Sequence, residues 1–104
     1  MTFHYQNHQL YVEQVSVADI AQQYGTPCYV YSRKVIADQW RAFDKALQDH
    51  PHRICYAVKA NSNLGILKVM QAAGSSFDVV SGGEFYRVQQ AGADTSKVVF
   101  AGVG

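Results

Sequence analysis

Cysteine and proline are almost missing from this chain, with two of each in 104 residues. Two cysteines cannot build the disulfide framework that replaces a core in small secreted domains. Cys28 and Cys55 both lie in apolar, strand-like runs and read as small buried hydrophobes, with no disulfide expected between them. Charge is also scarce, at 16% of residues, and the formal net charge is +1. No basic stripe or charge run occurs, which excludes the usual footprints of nucleic-acid and anionic-membrane binding. No apolar run approaches the roughly 20 residues of a membrane span. The start, Met1-Thr2-Phe3-His4-Tyr5, lacks the basic residues and long apolar stretch of a secretory signal, so the cytoplasm is the expected compartment. What is plentiful is apolar residues, 48% of the chain, enough for one small domain with its own core.

The first third is short-ranged in pattern. Phe3-His4-Tyr5 and Leu10-Tyr11-Val12 flank Gln6-Asn7-His8-Gln9, a hairpin signal. Ser16 with Asp19 three residues on resembles a capping box and predicts a helix over Val17 to Tyr24, ended by Gly25. Pro27 to Tyr31 reads as a strand. Ser32 caps a further helix, with Ile36, Trp40, Phe43 and Leu47 at helical spacing and His50-Pro51 as its stop.

From there the pattern is regular. Strand Ile54 to Val58 precedes a helix from Leu64, with Ile66, Leu67, Met70 and Ala73 on one face and Gly74 closing it. Strand Phe77 to Val80 precedes a helix opened by Gly82-Gly83, with Phe85, Val88 and Ala91 on one face and Gly92 closing it. Val98 to Ala101 is a third strand. Strands alternating with helices predict parallel β/α units. A closed (β/α)8 barrel needs eight such units in roughly 250 residues. Two units and a strand are expected to be an N-terminal piece of a longer α/β protein.

Lys59 is the leading chemical candidate. It follows the apolar strand Arg53 to Val58 and precedes Ala60 and Asn61. Reactive groups of α/β folds collect at the carboxyl ends of strands. A partly desolvated amine there loses basicity and becomes a nucleophile or Schiff-base former. The small neighbours Ala57 and Ala60 leave room for a flat ring. The alternative is a solvated, inert lysine. Asp78 sits inside an apolar strand, where a carboxylate is costly to bury alone; it either approaches Lys59 or caps something facing solvent. Ser81-Gly82-Gly83-Glu84 opens a helix whose N–H groups suit an anion, while Glu84 equally complements the helix dipole. Gly102-Val103-Gly104 is too short to carry a dinucleotide fingerprint. His4, His8, His50 and His52 read as solvated turn histidines, with no metal site expected. The seven tyrosines read as packing residues with polar tips.

Four blocks together resemble a known family. Tyr56-Ala57-Val58-Lys59-Ala60-Asn61-Ser62-Asn63 is similar to the cofactor-lysine motif of the alanine-racemase-like, fold-type III pyridoxal-phosphate enzymes. Tyr24-Gly25-Thr26-Pro27 with Tyr29-Val30-Tyr31, Phe77 to Glu84, and Phe100 to Gly104 extend the resemblance, from about Val17 onward, to the diaminopimelate decarboxylases. The resemblance implies a partial TIM barrel from residue 26 to 104, preceded by a hairpin and short helix, 1–25, of the family's β domain. It implies that Lys59 holds pyridoxal 5′-phosphate and is catalytic, with Ala57, Asp78 and Glu84 around the cofactor. The implied reaction is decarboxylation of meso-2,6-diaminopimelate to L-lysine by a homodimer, with a small amino acid as substrate. The family's phosphate loop, ring-stacking histidine and dimer-donated residues come later in the chain, so residues 1–104 alone are expected to be inactive. Decarboxylation of ornithine, arginine or carboxynorspermidine, a non-catalytic relative and a nucleotide binder are the alternatives.

Overall fold

The computed structural model describes residues 2–103; Met1 and Gly104, the last residue of Gly102-Val103-Gly104, lie outside them. The chain divides into two compact units, Met1–Val35 and Ile36–Gly104.

The first unit is an antiparallel three-stranded sheet with one helix. β1 (Phe3–Gln6) and β2 (Gln9–Val12) form the expected hairpin, paired Phe3 to Val12 and Gln6 to Gln9. Its two-residue turn puts Asn7 and His8 at φ 51° and 63°. That left-handed pair matches the twist of the strands. β3 (Val15–Ser16), unmarked by any sequence signal, pairs with β2. Ser16 then caps α1 (Val17–Tyr24), its Oγ accepting the Asp19 N–H, and Gly25 ends the helix at φ 81°. Ser32 accepts the Val35 N–H and donates to Glu13, opening α2 (Arg33–Ala46), which runs on into the second unit.

Three expectations fail here. Pro27 to Tyr31 is no strand: no neighbouring strand among the described residues pairs with it. A β-branched, aromatic run is extended only when a ladder receives it. Cys28 is consequently exposed, not buried, and Cys55 is only half-buried; both are free thiols. Most tyrosines likewise stand in solvent instead of packing, Tyr29 to the extent of 90%.

The second unit is the predicted parallel β/α array. β4 (Cys55–Ala57), α3 (Leu64–Ala73), β5 (Ser76–Val79), α4 (Gly82–Gln90) and β6 (Val98–Phe100) follow in order, and the strands lie β4-β5-β6. A 3₁₀ turn, Thr95–Lys97, leads into β6. Val58, Ile66, Leu67, Met70, Phe77, Val79, Val88 and Ala91 form the core, with Ile36 and Trp40 packed against it. The helical periodicities of α3 and α4 thus point where the sequence indicated. α2 stops at Ala46, short of His50-Pro51, and its Phe43 is 57% exposed, so Phe43 is no core residue. Gly74 suits its place on two counts: its φ is 107°, which side chains rarely adopt, and a Cβ would press the Trp40 ring at 3.3 Å. Gly102 has no room either, since a Cβ would lie 2.8 Å from the Phe100 ring and 3.2 Å from the Val80 carbonyl.

Candidate functional site

The parallel register sets the site. Tyr56 pairs with Phe77, Ala57 with Asp78, and Asp78 with Val99. Side chains alternate along a strand. Phe77 and Val79 are sunk in the core beneath α3 and α4, so Asp78 faces the other way, in one row with Ala57 and Val99. On that face Ala57 and Asp78 are half-buried and Val99 is 44% exposed. Adjacent strands lie about 4.8 Å apart, which makes Ala57 and Asp78 immediate neighbours.

Lys59 is not on the strand. β4 ends at Ala57, and Val58–Ala60 form a 3₁₀ turn closed by the Asn61 N–H on the Val58 carbonyl at 3.1 Å. Val58 is fully buried while Lys59 is exposed. The core therefore grips the residue before the lysine and leaves the amine outside. Among the described residues no hydrogen bond or ion pair engages that amine. Asp78 Oδ1 is buried without any hydrogen-bond partner. A carboxylate oxygen in that state is costly, and native structures rarely leave one.

The residues after Lys59 are heavily tied. Asn61 Oδ1 accepts the Asn63 N–H at 3.0 Å, and Asn63 Oδ1 accepts the Gly65 N–H at 2.9 Å to cap α3. A Cβ on Gly65 would press Asn63 Oδ1 at 3.3 Å, which suits glycine to that cap. The Tyr56 hydroxyl donates to the Asn61 carbonyl at 2.9 Å. Arg87 of α4 donates to the Ser62 carbonyl at 3.3 Å. Neither Tyr56 nor Arg87 was singled out from the sequence. The one available signal was a tyrosine, not a phenylalanine, in a buried strand position.

Glu84 lies at the same end of the sheet. Its Oε1 accepts the Val80 N–H at 2.9 Å while Ser81 Oγ accepts the Glu84 N–H at 3.1 Å. This reciprocal cap ties the end of β5 to the start of α4. A Cβ on Gly82 would meet nothing, so the glycine pair leaves open ground beside that cap.

The opposite, amino end of the sheet is built differently. A cavity of about 440 Å³ there is lined by Trp40, Asp44, His52, Arg53 and Ser75 among others. His52 is exposed, as its loop suggested, yet its ring is partnered. Its ring bonds the His50 carbonyl and Asp44 Oδ1, both at 2.7 Å. The His50 carbonyl first, and then Asp44, hold its pKa above the ordinary 6.5. Asp94 is held below the usual carboxylate range by the Ser96 hydroxyl, then by the Ser96 N–H. A larger cavity, about 710 Å³, lies in the first unit against Val12, Ile20 and Val30. Neither cavity includes Lys59, which is exposed. Among the described residues no cluster of metal-ligating side chains occurs, and no helix is long and apolar enough to cross a membrane.

Residues 33–104 match the family described as pyridoxal-dependent decarboxylase, pyridoxal binding domain. The chain is 61% identical over 103 residues to diaminopimelate decarboxylase of Vibrio cholerae serotype O1, covering 98% of this chain and 25% of that protein. It is 52% identical over 101 residues to the Haemophilus influenzae diaminopimelate decarboxylase, covering 97% and 24%. Among solved structures it is similar to diaminopimelate decarboxylase from M. jannaschii in complex with L-lysine, with a TM-score of 0.91 and 29% identity over 97% of this chain and 25% of that one. The chain thus spans about a quarter of the length of the relatives it matches, and its mixed α/β fold corresponds to their N-terminal region. With the family model spanning the β/α array and Lys59, the chain belongs to the pyridoxal-dependent decarboxylases.

Proposed function

We propose that this chain belongs to an enzyme that decarboxylates meso-2,6-diaminopimelate to L-lysine, with Lys59 as the residue that holds pyridoxal 5′-phosphate. The observation that carries the reading is the pair of uncommitted groups at one end of the sheet. An unpartnered amine stands on a fixed turn, and an unpartnered buried carboxylate oxygen lies on the neighbouring strand. The identity to diaminopimelate decarboxylases selects the substrate from within a broader family.

The residues present fit the cofactor. Asp78 Oδ1 is an acceptor with nothing to accept, and Ala57 beside it keeps the surface low enough for a flat ring. When bound, pyridoxal phosphate supplies the electron sink for the carbanion that departing carbon dioxide leaves. Lys59 Nζ would anchor the cofactor and, when free of it, would serve as the proton carrier of the site. Asp78, on the adjacent strand, would accept a hydrogen bond at its open oxygen. Glu84 shapes the wall through its grip on Val80. The parallel array is the first part of a (β/α)8 barrel beginning near residue 26, and residues 1–25 belong with a β domain. The complete protein works as a cytoplasmic homodimer on a small amino acid, without nucleic-acid or membrane partners.

The test is borohydride reduction of the full-length protein with pyridoxal phosphate, followed by peptide mapping. Label on Lys59, absent from Lys59→Ala, is expected, together with a loss of diaminopimelate decarboxylation of at least about 10³-fold. Label on another lysine, or full activity in Lys59→Ala, sinks the reading.

A further inference from the structure

Val58 pins the Lys59 turn from one side only. On the other side the turn is a 3₁₀ stretch of only three residues, whose hydrogen-bond geometry holds a backbone poorly. Two side chains make up the difference. The Tyr56 hydroxyl holds the carbonyl of Asn61, two residues after the lysine, and Arg87 holds the carbonyl of Ser62, the next residue. Tyr56 is itself fixed by its edge-on contact with Phe77, ring centroids 6.3 Å apart. Arg87 sits three residues after Glu84 on α4, so one helix fastens two neighbouring loops, Glu84 that of β5 and Arg87 that of β4.

We infer that Tyr56 and Arg87 are positioning residues for Lys59. They fix the path of Asn61 and Ser62, and with it the direction in which the exposed amine leaves the turn. A side chain with four rotatable bonds loses less freedom on engaging a cofactor when its backbone is already immobile. The inference rests on the reading of Lys59 as the cofactor residue. It predicts an effect at Lys59 without a matching effect on the fold.

The experiment uses the full-length protein carrying Tyr56→Phe, Arg87→Met and Arg87→Lys. Phenylalanine keeps the ring contact and loses only the hydroxyl; lysine keeps the cation and restores part of the contact. Without cofactor, amide hydrogen exchange is followed at residues 58–63 and, as a reference, at 76–79. With cofactor, kcat and KM are measured and borohydride labelling at Lys59 is mapped. Loss of one hydrogen bond predicts about fivefold faster exchange at 58–63 in Tyr56→Phe and Arg87→Met, with 76–79 unchanged. It predicts a kcat lowered about fivefold with KM held, and partial recovery in Arg87→Lys. Exchange that quickens equally at 76–79 reveals a general loss of stability and overturns the inference. So do variants indistinguishable from wild type. Wild type labelled at Lys59 with silent variants overturns the positioning role alone; wild type unlabelled at Lys59 takes down both it and the proposed function.

Discussion

The two ends of the parallel sheet use their polar groups in different ways. At the amino end His52 bonds Asp44 and the His50 carbonyl, and Asp94 takes both donors of Ser96, while the Trp40 indole N–H beside them is buried without a partner. At the carboxyl end the backbone is tied by Tyr56, Asn61, Asn63, Glu84 and Arg87, yet the Lys59 amine and Asp78 Oδ1 are left without partners. Each end thus holds one buried polar atom without a partner, an indole N–H at the amino end and a carboxylate oxygen at the carboxyl end. A charged group left unpaired is the costlier of the two, which is why the carboxyl end is the one to read for function.

Phe77 is the largest fully buried side chain of the core and sits mid-strand between the two ends. Phe77→Ala should destabilise the chain by about 3–5 kcal/mol in urea denaturation, through lost burial and the cavity left behind. Asp78, the next residue, should behave in the reverse sense. Removing an unpartnered buried oxygen relieves a cost, so Asp78→Ala should leave stability level or raise it by about 1 kcal/mol. Its price appears in function: weaker pyridoxal phosphate binding, read by absorbance titration of the full-length protein. Two adjacent residues on opposite faces would then give opposite stability effects. Equal destabilisation by both would erase the distinction between a satisfied interior and a site held open.

Ser81 tests the tie at the carboxyl end. Its Oγ caps Glu84 while Glu84 reaches back to Val80. Ser81→Ala should cost about 1 kcal/mol, the usual size of an N-cap. If Glu84 depends on that cap for its placement, Glu84→Gln in the Ser81→Ala background should add less than it does alone, a coupling that a double-mutant cycle measures directly.

Much of the second unit was legible because its signals are local. Helical periodicity in α3 and α4 and the Gly74 and Gly92 stops depend on residues a turn apart. What escaped depended on partners far along the chain. Pro27 to Tyr31 has strand composition but no strand beside it, and that also undid the burial expected of Cys28. The position of Lys59 was visible from Tyr56-Ala57-Val58-Lys59, but not the 3₁₀ turn beneath it, since that turn is closed and braced by Asn61, Tyr56 and Arg87. Arg87 meets Ser62 across 25 residues, a distance over which no spacing rule speaks.

The smallest effect belongs to the amino end, where His52 and Asp44 are already partnered. His52 has a folded-state pKa above its ordinary 6.5, owing first to the His50 carbonyl and then to Asp44. A raised folded pKa means the native state holds the proton more tightly than the unfolded chain does. The resulting stabilisation is complete below pH 6.5 and disappears as pH rises through the folded value. The pair is close to solvent, where screening keeps such contributions small. Urea midpoints of wild type and His52→Gln should therefore differ more at about pH 5.5 than at about pH 8.5, with wild type the more stable at the acid end. Asp44→Asn should narrow the gap at low pH, because the carboxylate is one of the acceptors that raise the pKa. A gap that widens toward alkaline pH would mean that His52 is held neutral.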